Sequence, residues 1–165
     1  MNHGRHGIPE RFQLGDEHEV NLVDLHRADP IAFGIRLVVS SEIHTNPDSA
    51  AVAFGIKALG DAWREVSRTV AESILLELLR KDMAFLLPRL EESVVRTSVD
   101  DFLASFSVGS RFFTNGNWER GWVRSKHSNT SVGPEWSPAT DATFDGGIVA
   151  IDSWRSGILW LEDED

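Results

Sequence analysis

Histidine and carboxylate side chains could do the most chemistry in this chain, and Asp16, His18, Asp24, His26 and Asp29 bring both types together near its start. Imidazole and carboxylate suit a divalent metal, but metal sites legible in sequence have recurrent ligand spacings. His18-Glu19 is followed by Leu22 where a H-E-x-x-H helix needs its second imidazole. The cluster therefore reads as solvated or structural, and neither a metal nor another cofactor is expected. The absence of cysteine excludes thiol catalysis, iron–sulfur clusters and cysteine-zinc sites.

Nucleophilic catalysis needs a serine or threonine, a base and an orienting acid, and the local signature G-x-S-x-G does not occur. His127-Ser128, with Asp141 and Asp145 downstream, supplies the residue types for a ligand-binding or hydrolytic site near His127 and Asp145. A polar loop accounts for the same residues. A pair of acids for glycoside chemistry can be chosen from Asp141, Asp145 and Asp152, but 26 carboxylates make such a choice nearly free. Asp145-Gly146-Gly147 lacks the lysine and following helix of a phosphate-binding loop, and reads as a bulge or tight turn.

Two features point instead to contact with another macromolecule. Five of the six tryptophans fall from Trp118 onward. Asn115-Gly116 fits a two-residue type I′ hairpin, which would pair Phe113 with Trp118 and place Arg111, Phe113, Trp118, Arg120 and Trp122 on one face. Tryptophan and arginine dominate binding hot spots, so that face is a candidate contact surface, including for self-association. The second feature is charge: Asp141, Asp145, Asp152, Glu162, Asp163, Glu164 and Asp165 face Arg155 alone after residue 140. Asp152, Glu162 and Asp163, with Trp154 and Trp160 as anchors, form the candidate surface for a cationic partner.

The elements that must position these residues follow from periodicity. Ile31–Val39 reads as a buried strand with its exit at Thr45-Asn-Pro-Asp48. Asn46-Pro47 is a helix start, after which Val52, Ile56, Leu59, Trp63, Val66, Val70, Ile74 and Leu78 form one apolar stripe to about Lys81. Gly55 and Gly60 weaken this long helix, and a bend or split is expected near Gly60. Thr97-Ser98 starts a short helix reaching Ser105. Residues 143–151 and 157–161 are apolar on both faces and read as a central hairpin joined by 152–156.

The expected fold is α+β, with a long helix in the N-terminal half packed on a mostly antiparallel sheet built from C-terminal hairpins. The 165 residues read as a single globular domain, with residues 1–15 an irregular start. Sixteen basic against 26 acidic residues, a net charge of −10, argue against a nucleic-acid partner. Absence of a long apolar run argues against a membrane, and the default location is the cytoplasm. Size, acidity and the lack of a catalytic motif fit the general type of bacterial immunity and inhibitor proteins, such as an antitoxin that blocks a basic nuclease toxin.

Overall fold

The computed structural model describes residues 18–19, 33–124, 126–127 and 130–164. Of the early acid and histidine cluster only His18 lies within them, and the expectations for residues 1–15 and for Asp16, Asp24, His26 and Asp29 lie outside. The strands are β1 (His18–Glu19), β2 (Phe33–Ser40), β3 (Arg64–Val66), β4 (Arg111–Thr114), β5 (Val123–Arg124), β6 (Ser131–Val132), β7 (Phe144–Ile151) and β8 (Ser156–Asp163). The helices are α1 (Pro47–Ala53), α2 (Arg68–Arg80) and α3 (Glu92–Ala104). Six strands form an antiparallel sheet in the order β1-β2-β8-β7-β4-β3, and β5 and β6 make a separate ribbon. The fold is α+β.

β7 and β8 pair over their full length and occupy the centre, as their two-sided apolar pattern requires. Strand alternation divides the core into two. Ile35, Leu37, Ile148, Ala150, Leu159 and Leu161 face α2 and α3, whereas Val149, Ile158 and Trp160 face α1, Ile56 and Ala139. The sheet is thus covered on both sides. Full burial of Ile74 and Leu78 on α2 is worth about 1.5–3 kcal/mol each.

The long helix expected from Asn46 to Lys81 is not formed. Asn46 does cap α1, accepting from the Ser49 amide at 2.9 Å, with Pro47 in the first turn. The helix then stops after seven residues because Gly55 turns left-handed, at φ 86°. The Asp48 carboxylate collects the Leu59 and Gly60 amides and the Trp63 indole N–H, fixing a turn where a helix would have continued. Trp63 and Val66 consequently leave the stripe for a turn and an edge strand, and Val52 is exposed. The second half of the stripe holds: Ser67 caps α2, Ile74 and Leu78 are buried, and Val70 is half-buried.

α3 begins six residues before the expected cap at Ser98. The Ser98 hydroxyl donates to the Val94 carbonyl within the helix instead of capping its start. At the other end of α3, Arg68 donates to the carbonyls of Leu103, Phe106 and Ser107, which places a cation at the helix C-terminus.

The hairpin expected at Asn115-Gly116 is also overturned. Neither residue has the positive φ of a type I′ turn. β4 pairs with β3 and β7 rather than with Asn117–Trp122, and Trp118–Arg120 is a 3₁₀ turn. Asn115 is drawn inward: its side chain donates to the carbonyls of Ser137 and Asp145 and to the Asp145 carboxylate, and accepts from the Trp118 indole. Four hydrogen bonds from one buried amide outweigh a turn preference. Gly116 is required by contact, since a β-carbon there would lie 2.4 Å from the Glu135 carbonyl oxygen.

Candidate functional site

The end of the central hairpin where β7 begins and β8 finishes carries a concentration of carboxylates. Asp145 lies fully buried on β7, and its oxygens accept from the amides of Ala139 and Thr140, the Thr140 hydroxyl and the Asn115 amide. Burial raises its pKa, while the Ala139 and Thr140 hydrogen bonds oppose the rise. These bonds hold segment 137–140 against the sheet.

That segment forms one wall of an open cleft of about 410 Å³, lined by Gly55, Lys57, Thr140, Asp141, Glu162 and Glu164. Glu162 projects from β8 on the α1 side, half-buried, with Arg36 of β2 3.8 Å away. Burial raises the Glu162 pKa; Arg36 opposes this, and the charges of Asp145, Glu164 and Asp141 reinforce it. Asp141 is exposed and held below its usual range by the Lys57 ammonium, which donates to it at 2.7 Å. Glu164 accepts from the Thr143 hydroxyl at 2.8 Å. Carboxylates therefore outnumber cations around the cleft, with Lys57 on Asp141 and Arg36 beside Glu162.

The residues singled out in sequence do not form one patch. Glu162 lines the cleft. Asp163, on the opposite side of the strand, is 1% exposed and bound to Arg89. Trp160 is equally enclosed, edge-on to Trp63 at 6.1 Å, with its indole beside the Asp145 carboxylate, whose pKa it helps to lower. Asp152 and Trp154 lie at the far end of the hairpin, roughly 20 Å from Glu162 by strand rise. Asp152 is buried beneath the amides and hydroxyls of Ser107 and Ser153; burial raises its pKa, but these hydrogen bonds win and leave it lowered. Trp154 is exposed with the Arg155 guanidinium over its ring at 4.8 Å.

The aromatic set is dispersed as well. Phe113 and Trp118 are buried, the latter stacked on Trp136 at 4.9 Å, while Arg111, Arg120 and Trp122 are exposed. Arg111 makes a two-pronged pair with Glu65 and covers the Phe113 ring. His127 is exposed between β5 and β6, and the Asp145 carboxylate is held by Ala139, Thr140 and Asn115.

A serine–histidine–glutamate line exists elsewhere: His44 Nδ1 is 3.1 Å from Ser49 Oγ and its Nε2 is 3.7 Å from Glu42. The carboxylate is beyond hydrogen-bond distance, and the Ser49 hydroxyl also lies 3.2 Å from the Asn46 carbonyl, which can accept its proton. This arrangement sits at the entrance to α1, where Asn46 caps the helix. Among the described residues no cluster of histidines and carboxylates could hold a metal ion, and no helix is long and apolar enough to cross a membrane.

Sequence reasoning missed Lys57 in the cleft and Arg36 beside its Glu162. Arg36 had a signal: a charge inside the apolar run Ile35-Arg36-Leu37 marks a strand face that reaches solvent. Lys57 joins Asp141 across 84 positions, with no local mark. No protein-family model, curated protein or solved structure matches this chain.

Proposed function

We propose that the chain is a non-catalytic binding protein of the immunity or inhibitor type, and that its cleft receives a cationic side chain of a basic protein partner such as a nuclease toxin. The observation that supports this reading is the convergence of Asp141, Glu162 and Glu164 on one open cleft above buried Asp145. A guanidinium placed there would offset the burial, and with it the neighbouring negative charge, that hold Glu162 above its ordinary pKa. Carboxylates that occupy a phosphate-binding site would also block a nuclease without chemistry.

The binding set in this proposal is Asp141, Glu162 and Glu164, with Trp154 outside it. Asp152, Trp160 and Asp163 support the fold. The test compares pull-downs by the native chain and by the Asp141→Asn/Glu162→Gln/Glu164→Gln variant from host extract, followed by titration of any purified partner. A basic partner bound stoichiometrically, inhibited, lost with the triple variant and weakened by salt supports the proposal. A partner that binds both chains equally at all ionic strengths overturns it.

A further inference from the structure

Two arginines lie buried among the described residues, and the fold treats them differently. Arg89, 1% exposed, donates to the carbonyls of Leu78 and Lys81 and makes a two-pronged pair with Asp163. Arg155, 6% exposed in the loop between β7 and β8, has no such set. Its Nε is enclosed without a hydrogen-bond partner, and among the described residues its guanidinium makes neither a hydrogen bond nor an ion pair. What it does have is the Trp154 ring, whose centre lies 4.8 Å from the guanidinium carbon.

A ring face attracts the charge but is a poor acceptor for N–H groups. The five N–H donors of a guanidinium lie in its own plane, so contact with an indole leaves them to an acceptor that arrives edge-on. Burying a cation without a counter-charge is unfavourable, and buried polar groups almost always find a partner. The nearest carboxylate in sequence is already committed. Asp152 accepts from the amides and hydroxyls of Ser107 and Ser153 and from the Ser110 hydroxyl; burial favours its neutral form, but these donors keep it ionised. The loop backbone is fixed as well, with the Asp152 amide donating to the Arg155 carbonyl at 2.9 Å. Arg155 is thus a preorganised donor whose acceptor the described chain does not supply.

The surroundings select the ligand. A planar carboxylate matches the guanidinium fork with two parallel hydrogen bonds. A doubly charged phosphate fits less well, because ionised Asp152 stands at the start of the same loop and the chain carries a net charge of −10. Trp154 is 44% exposed, so its ring offers apolar surface beside the charge. One guanidinium and one ring accommodate a small organic acid.

We propose that Arg155 and Trp154 bind such an acid, its carboxylate on the Arg155 N–H donors and its apolar part against the Trp154 ring. The site lies at the far end of the central hairpin from the cleft of Asp141, Glu162 and Glu164, roughly 20 Å away by strand rise, so it does not rest on the function proposed above.

Proton–nitrogen NMR of the full chain tests it, with benzoate, acetate and inorganic phosphate titrated while sodium chloride holds the ionic strength constant. The expected result is a saturable shift of the Arg155 Nε–H and Trp154 indole signals, reached at lower concentration with benzoate than with acetate or phosphate. Arg155→Met keeps an apolar stem beside Trp154 without the donors, and should weaken benzoate binding about tenfold or more. Without benzoate its melting temperature should equal or exceed that of the native chain, because a buried unpaired charge has been removed. Benzoate should raise the melting temperature of the native chain alone. Absence of a saturable shift, tighter binding of phosphate than of benzoate, or undiminished benzoate binding by Arg155→Met overturns the proposal. An Arg155→Met chain that melts well below the native one does so as well, since Arg155 would then be a strut of the fold.

Discussion

Arg89 and Asp163, 74 positions apart, form a two-pronged ion pair in which neither side chain is more than 1% exposed. A third Asp163 hydrogen bond, from the Met83 amide at 2.8 Å, links the last central strand to the loop after α2. Asp163→Asn should therefore lose about 3–5 kcal/mol of stability, because an uncompensated guanidinium is left inside the fold. Replacing both partners, as Arg89→Met/Asp163→Leu, should recover a substantial part. Urea denaturation measures both; an Asp163→Asn chain of native stability would return this residue to the list of binding candidates.

Gly146 and Gly147 are needed for different contacts, and their alanine variants should rank accordingly. A β-carbon on Gly147 would meet the Leu159 carbonyl oxygen at 2.1 Å, whereas one on Gly146 would meet the Trp118 indole nitrogen at 2.3 Å. Backbone in the middle of a sheet cannot retreat, but a ring can tilt. Both substitutions should destabilise, by about 1–3 kcal/mol for Gly146→Ala and more for Gly147→Ala. Tryptophan fluorescence should shift for Gly146→Ala, since Trp118 is the residue displaced.

Two carboxylates give stability opposite slopes with pH. The Trp63 indole, opposed by burial and aided by the Gly60 and Leu59 amides, lowers the Asp48 pKa. Its contribution is thus present above the ordinary aspartate value and lost as pH falls through the folded one. Glu162 is raised, so its contribution is present below the ordinary glutamate value and lost as pH rises through the folded one. Glu162→Gln should equal the native chain in acid and exceed it in stability at neutral pH. Asp48→Asn should be less stable at neutral pH and less sensitive to acid. Thermal melts across pH 3–8 would reveal either sign reversed.

The legible parts of this fold were those whose partner lies nearby in sequence or whose pattern admits one reading. The β7–β8 hairpin belongs here: unbroken apolar runs on both sides of residues 152–155 fit a buried pair and little else. So does α2, where Ile74 and Leu78 repeat with helical spacing behind the Ser67 cap. The long stripe failed at Gly55 because the spacing from Val52 to Val66 is satisfied equally by a helix and by a turn assembled around Asp48. The cleft was half legible. Glu162 and Asp141 stood out by charge, but Arg36 and Lys57 reach them only through strand order and a contact across 84 positions. Burial of Asp163 but not Glu162 depends on which face of β8 meets α2, a choice that alternation alone leaves open.

Asn115 allows a direct trial of local preference against tertiary demand. Asp-Gly suits a type I′ turn as well as Asn-Gly does, so a turn at this position would make Asn115→Asp nearly neutral. The observed contacts require the opposite. The Asn115 amide nitrogen donates to the Ser137 carbonyl at 3.0 Å, the Asp145 carbonyl at 2.9 Å and the Asp145 carboxylate at 3.0 Å. An ionised aspartate has no donor to give, and it would set a second carboxylate beside fully buried Asp145. Asn115→Asp should therefore lose about 3 kcal/mol or more at neutral pH, from lost hydrogen bonds and like-charge repulsion. Because a proton shared between the two carboxyls restores one donor, part of the loss should return as the solution is made acidic. Equilibrium unfolding of native and variant chains at neutral and acidic pH provides the comparison, and equal stability at both would refute the inward role of Asn115.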